Sequence, residues 1–211
     1  MVGIGLDVFY PIVPDAAWLR RLVPLGVKTI QLRLKDAPPE RIRREIGESL
    51  ELCARHACQL IVNDYWREAL SLGADFVHLG QEDLAEADVP SLRAREVQLG
   101  ISTHSEEELA TALAATPAYV ALGPIYETRL KAMKWAPQGL ERIAAWKKRI
   151  GSLPLVAVGG ITPERADGVL AAGADSIAVI TDFFTHADPE ARVRQWLAWA
   201  ERVRNGRDCR D

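Results

Sequence analysis

Leu155-Val156-Ala157-Val158-Gly159-Gly160-Ile161-Thr162-Pro163-Glu164, continued by Arg165 to Ala172 and then Ser176 to Ile180, decides how this chain is read. An aliphatic run, a glycine turn, a helix start with proline in the first helical position and a second aliphatic run make one strand-helix-strand unit. Parallel neighbours need such a crossover, so the unit predicts a parallel sheet with helices packed on it. The alternation extends back through the chain. Aliphatic runs fall at Asp7 to Val13, Val27 to Leu34, Gln59 to Val62, Asp75 to Leu79, Val97 to Ile101 and Tyr119 to Leu122. Helical patterns lie between most of them, with Asp15 ahead of Ala16 to Leu22 and Pro38-Pro39 ahead of Glu40 to Ala54. About eight such repeats predict an α/β fold, a (β/α)8 TIM barrel. It forms a single domain over residues 1–211, with a polar C-terminal tail from about residue 205. An open doubly wound sheet is the alternative. One connection is oversized, Gly123 to Gln138, and its Arg129, Lys131 and Lys134 mark it as a binding loop.

The composition suits one globular core, with 48% hydrophobic and 26% charged residues over 211 positions. Lys and Arg number 26 against 29 Asp and Glu, a net charge of −3, so no overall field gathers nucleic acid or anionic lipid. Apolar runs stay below the ~18–20 residues that cross a bilayer, and the first residues lack a signal-peptide pattern, so a cytoplasmic protein is expected. Cys53, Cys58 and Cys209 are read as free thiols, and His56, His78, His104 and His186 share no zinc-ligand spacing. Trp18, Trp146, Trp196 and Trp199 are read as core or helix-seam residues; Trp66, just past a strand end, is weighed as a ligand contact.

Chemistry concentrates at the strand ends. In Ile30-Gln31-Leu32-Arg33-Leu34-Lys35 the period of two sends Gln31, Arg33 and Lys35 to one face. On an open sheet this is an edge strand facing water. In a parallel barrel the outward face packs on helices, so the polar triplet points inward, where adjacent cations require an anion between them. The third strand ends in Asn63-Asp64 and the fourth in His78-Leu79-Gly80-Gln81-Glu82-Asp83. Asp64 and Asp83 thus reach the same rim, and two carboxylates beside cations suit a divalent ion bridged to phosphate, although either alone reads as a helix cap. Ser102-Thr103-His104-Ser105 adds a hydroxyl, and the small-residue turns at Gly159-Gly160 and Ile180-Thr181 suit a second anion on backbone N–H groups. A tight turn also explains the two glycines.

These residues together resemble the thiamine phosphate synthase family. The resemblance runs from about Phe9 to the last helix, through Gln31 to Asp36, Asn63-Asp64, His78 to Asp83, Ser102-Thr103-His104, Gly123-Pro124-Ile125-Tyr126 with Lys131, Ala136-Pro137-Gln138-Gly139-Leu140, and Gly159-Gly160-Ile161. It implies a (β/α)8 barrel, Mg2+, and condensation of hydroxymethylpyrimidine diphosphate with hydroxyethylthiazole phosphate, or its carboxylate form, to thiamine phosphate and diphosphate. The matching positions imply Asp64 and Asp83 as Mg2+ ligands, and Arg33, Lys35, Asn63, Ser102 and Lys131 around the diphosphate. Arg33, Lys35 and Lys131 are the implied catalytic residues. The resemblance further implies Gln31 at the pyrimidine, and Thr128, Gly160, Ile180 and Thr181 at the thiazole phosphate. Where the family has Pro-Thr-x-Thr-Lys, this chain has Glu127-Thr128-Arg129-Leu130-Lys131, losing a proline and a hydroxyl and gaining a carboxylate. Arg129 is read as an electrostatic compensation. Expected partners are the two phosphorylated small molecules, with no nucleic acid and no membrane; a homo-oligomer is left open. A thiazole tautomerase of the same barrel family and a non-catalytic phosphate-binding barrel are the rival functions.

Overall fold

A computed structural model describes residues 6–128 and 135–208 of the chain. Strand and helix alternate as β1 (Phe9–Val13), α1 (Ala16–Leu22), β2 (Thr29–Leu32), α2 (Pro39–Arg55), β3 (Gln59–Asn63), α3 (Trp66–Ser71) and β4 (Phe76–Leu79). Then come α4 (Gln81–Glu86), α5 (Val89–Ala94), β5 (Gln98–Thr103), α6 (Glu106–Ala114), β6 (Tyr119–Leu122), α7 (Gly139–Ile150) and β7 (Leu155–Val158). The chain finishes with α8 (Pro163–Ala171), β8 (Ser176–Val179), α9 (Thr181–Phe184) and α10 (Pro189–Asp208), which stays helical through the start of the polar tail. All eight expected strands form, in sequence order and parallel. β1 pairs with β8, Phe9 opposite Ile177 and Pro11 opposite Val179, which closes the barrel and excludes the open sheet.

Side-chain alternation separates two apolar layers. Outward-facing residues such as Ile30, Leu32, Val62 and Ile101 join Leu19, Ile46, Trp146 and Trp196 in the shell between sheet and helices. Tyr10, Ile61, Phe76, Tyr119, Ala121, Val156 and Ala178 fill the barrel itself. Burying such side chains contributes roughly 1.5–3 kcal/mol each, so this double layer is the main stabilising element. The four tryptophans read as core belong to this shell or pack against it, and so does buried Trp66, with the Arg67 guanidinium 4.3 Å from its ring centre.

Local signals set the helix starts. The Asp15 carboxylate accepts from Trp18 N at 3.0 Å and Ser105 Oγ accepts from Glu108 N, each satisfying a donor that the first turn leaves unpaired. At the N-terminal end of the barrel, Arg204 Nη1 on α10 grips both carboxylate oxygens of Asp7 at 2.7 and 2.8 Å. The last helix is thereby tied to the start of β1. No described helix is long and apolar enough to cross a membrane.

Candidate active site at the C-terminal rim

The chain leaves β3 through Asp64 in a left-handed conformation, φ +65, with its N–H on His78 O at 2.9 Å. That backbone is uncommon outside glycine, asparagine and aspartate, and it accompanies the sharp turn into α3. Asp83 comes from the first turn of α4, where a side chain on Gly80 would stand 3.2 Å from its Oδ2. The two carboxyl groups come close enough for the Asp83 charge to act on Asp64. Burial first, and the Asp83 charge second, push Asp64 up to about 6, against the opposing pulls of the Arg33 charge and an Asn63 hydrogen bond. Two neighbouring carboxyls resist ionising together unless a cation stands near them.

Arg33 continues the inward side of β2: its N–H bonds Val13 O at 2.8 Å, and its charge acts on both Asp64 and His78. The cation therefore lies on the site side of the sheet, as the alternation predicts. Asn63 is buried beside Asp64, while Lys35 is exposed beyond the strand end.

Beneath the carboxylates runs a buried polar chain. Gln31, 2% exposed, lies beside the Tyr119 hydroxyl, which is 3.4 Å from the Tyr10 hydroxyl and 2.7 Å from His78 Nδ1. His78 Nε2 lies 2.8 Å from Ser102 Oγ. Burial and then the Arg33 charge pull His78 down to about 3, and burial raises both tyrosines, so the whole chain is uncharged near neutral pH. Gly100 makes room for it. A Cβ there would fall 2.2 Å from the Tyr119 ring. Gln81 donates from Nε2 to Ser102 O at 2.7 Å, fixing the backbone at that hydroxyl.

Sequence reasoning found Gln31 and Ser102 but not the His78 and Tyr119 that join them, nor Tyr10 or Gln81. The available signal was Gly100, since an isolated glycine in an aliphatic strand marks a close approach. Thr103 turns outward instead, accepting from Trp146 Nε1 at 3.1 Å and donating to Ala121 O at 3.0 Å.

The turns after β7 and β8 form the other half of the rim. Gly159 and Gly160 have φ +101 and +65, and a Cβ on Gly160 would lie 2.5 Å from Glu127 O. Tyr126 N donates to Gly159 O at 3.0 Å, and Arg165 Nη1 donates to Gly160 O at 2.9 Å. The structural need for both glycines is this packing against the segment that leads to half-buried Thr128. Ile180 packs on the barrel filling and Thr181 opens α9, one strand over. Gly160, Thr128, Ile180 and Thr181 thus come from adjoining turns, apart from the acidic pair at β3 and β4.

Arg129, Leu130, Lys131 and Lys134 lie outside the described residues. Trp135, on the far side of that stretch, stacks on His104 with 5.6 Å between ring centres. His104 Nδ1 in turn lies 2.8 Å from Glu108 Oε2.

The arrangement supplies two carboxyls and a cation at one side of the mouth and a neutral polar floor below. Among the described residues no three His, Cys, Asp or Glu side chains gather as a metal cage. The donors nevertheless suit a hard divalent ion: both are carboxyl oxygens, and a cation between them would relieve the charge repulsion that helps push Asp64 up.

A family model described as thiamine monophosphate synthase matches residues 10–183. A relative from Rhizobium etli, named thiamine-phosphate synthase, is 61% identical over 193 residues, covering 92% of this chain and 95% of its own. One of the same name from Salmonella dublin is 45% identical over 188 residues, 89% of each chain. The solved structure of thiamine phosphate pyrophosphorylase from Pyrococcus furiosus superposes with a TM-score of 0.82 at 25% identity, covering 96% of this chain and 99% of that one.

Proposed function

The chain belongs to the thiamine monophosphate synthase family, transferases of thiamine biosynthesis, and from that premise we propose that it joins hydroxymethylpyrimidine diphosphate to hydroxyethylthiazole phosphate. The products are thiamine phosphate and diphosphate. The observation that carries the site assignment is the closeness of Asp64 to both the Asp83 and the Arg33 charges.

The bond between the pyrimidine methylene carbon and the diphosphate oxygen breaks with its electron pair on oxygen, and the thiazole nitrogen supplies the pair for the new carbon–nitrogen bond. The aminopyrimidine ring stabilises the cation between these events, so no protein nucleophile is required. Asp64 and Asp83 are the residues to hold Mg2+, which when bound supplies positive charge to the departing diphosphate. Arg33 contributes a fixed charge aimed at the same place, and Lys35 a second one from the exposed strand end. Asn63 and Ser102 offer neutral hydrogen bonds. Gln31 lies deeper, where its amide can read the heteroatoms of the pyrimidine. Thr128, Gly160, Ile180 and Thr181 receive the thiazole phosphate, far enough round the rim to keep the two anions apart. Lys131 is assigned to the diphosphate on the resemblance alone. Losing one such preorganised donor costs roughly 10²–10³ in rate.

Incubation with both thiamine halves, with and without Mg2+, tests this reading. Thiamine phosphate and diphosphate appearing together only with the metal supports it. Turnover of a thiazole carboxylate phosphate alone, without diphosphate release, points to the tautomerase instead, and binding without any turnover to a silent barrel.

A further inference from the structure

Arg192 on α10 stands apart from the acidic pair, yet it reaches the two turns that complete the other half of the rim. Its Nε and Nη2 donate to the two carboxylate oxygens of Asp182 at 2.8 and 2.9 Å. Its Nη1 and Nη2 donate to those of Glu164, both at 3.1 Å. Asp182 follows Thr181 directly in α9, and Glu164 lies in the first turn of α8 just past Gly160. One guanidinium therefore ties the turn after β7 to the turn after β8. Trp196 Nε1 adds a third hydrogen bond to Asp182 Oδ2 at 2.8 Å, and Nη1 of Arg192 also donates to Gln195 Oε1 at 2.7 Å. The Arg192 and Asp182 side chains are only 13% and 9% exposed.

An isolated surface ion pair would mean little for stability, but this one is two-sided and bidentate, and its Asp182 half is mostly buried while Glu164 stays exposed. Its placement matters more than its strength. Two carboxylates stand in the turns assigned to a phosphate dianion and would repel it. Arg192 cancels one of their charges and spreads its own over both, while holding the turns at a fixed spacing. The Arg192 hydrogen bonds keep the Glu164 carboxyl down at about 2, so it stays ionised at any working pH.

We propose that Arg192 is a positioning residue for the thiazole phosphate, acting through Asp182 and Glu164 on the turns that carry Gly160, Ile180 and Thr181. The proposal rests on the assignment of those turns to that phosphate. It predicts a defect confined to one substrate, because Arg33, Asp64 and Asp83, assigned to the metal-chelated diphosphate, stand at β2 to β4, away from the turns that Arg192 ties together.

Steady-state kinetics on wild type, Arg192→Gln, Arg192→Lys, Asp182→Asn and the Arg192→Gln/Asp182→Asn double variant test it, with protection by inorganic phosphate against thermal unfolding as a readout independent of turnover. Arg192→Gln should raise KM for the thiazole phosphate about tenfold, leave KM for the pyrimidine diphosphate within about twofold, and abolish phosphate protection. Arg192→Lys should recover part of the loss. The double variant should bind the thiazole phosphate better than Arg192→Gln alone, since it removes the carboxylate charge that Arg192→Gln leaves without its ion pair. Equal rises in both KM values, or a double variant worse than either single one, would overturn the proposal by reducing Arg192 to general stability. If Arg192→Gln does not fold, Arg192→Lys and Asp182→Asn decide: unchanged thiazole-phosphate KM and phosphate protection in both would overturn it. A wild type that forms no thiamine phosphate yet loses phosphate protection on Arg192→Gln would refute the proposed function while upholding the positioning role.

Discussion

The carboxyl groups of Asp64 and Asp83, delivered from the ends of β3 and β4, stand close enough at the barrel mouth for the Asp83 charge to push the Asp64 carboxyl up. A proton on one of two neighbouring half-buried carboxyls relieves their repulsion, and a divalent cation between them would do the same. The Mg2+ proposal therefore has consequences for pH and for stability.

Because Asp64 is raised from 3.8 to about 6, the folded chain holds a proton between those values that the unfolded chain has lost. By linkage this contribution to stability falls as pH rises through that window and stays lost above it. Asp64→Asn should accordingly raise the thermal midpoint of the metal-free protein near neutral pH while lowering turnover by about 10². The apparent Mg2+ affinity of the wild type should weaken as pH drops below about 6, where protons compete for the pair. Thermal unfolding with a Mg2+ titration at several pH values reads both effects; a pH-independent Mg2+ response would remove Asp64 from the metal site.

His78 is held down to about 3, far below its usual 6.5, so it contributes stability fully above 6.5 and loses it progressively as acid charges the unfolded chain but not the folded one. Its imidazole resonances should show no titration between about pH 5 and 8, by the same burial argument. An inflection near the ordinary histidine value would mean that the chain linking Tyr119 to Ser102 is not the buried one described.

Gly100→Ala places a methyl 2.2 Å from the Tyr119 ring, between backbone and a side chain with nowhere to go. Overpacking of this kind costs about 1–3 kcal/mol, read by urea unfolding. Turnover should fall with it, because Tyr119 and His78 move as a unit. A fully active, fully stable Gly100→Ala protein would show that the hydrogen-bonded chain is not needed to place Ser102.

Much of the barrel could be read from the chain because its strands are buried on both faces and so appear as plain aliphatic runs, with Asp15, Ser105 and Pro163 marking helix starts. The inward side of β2 was legible for a related reason: only a polar triplet at period two interrupts the aliphatic pattern. What escaped was everything set by the stagger of one strand against another. His78, Gly100 and Tyr119 fall in one row because β4 pairs with β5 and β5 with β6 in a particular register, which no single segment encodes. The reach of Arg192 from α10 to α8 and α9 depends on how three helices pack, and charged residues on helices look alike in sequence. Gly159 and Gly160 were open to an anion reading, and the structure shows the packing reason for them, contact with the segment from Pro124 to Glu127.

The central claim is that Asp64, Asp83 and Arg33 together hold a metal-chelated diphosphate. Calorimetric titration of diphosphate into wild type and Asp83→Asn, each with and without Mg2+, tests it most directly. The prediction is tight binding only for wild type with Mg2+, and a loss of about 10² or more on removing either the metal or the Asp83 charge. Diphosphate binding of equal strength in all four titrations would contradict it.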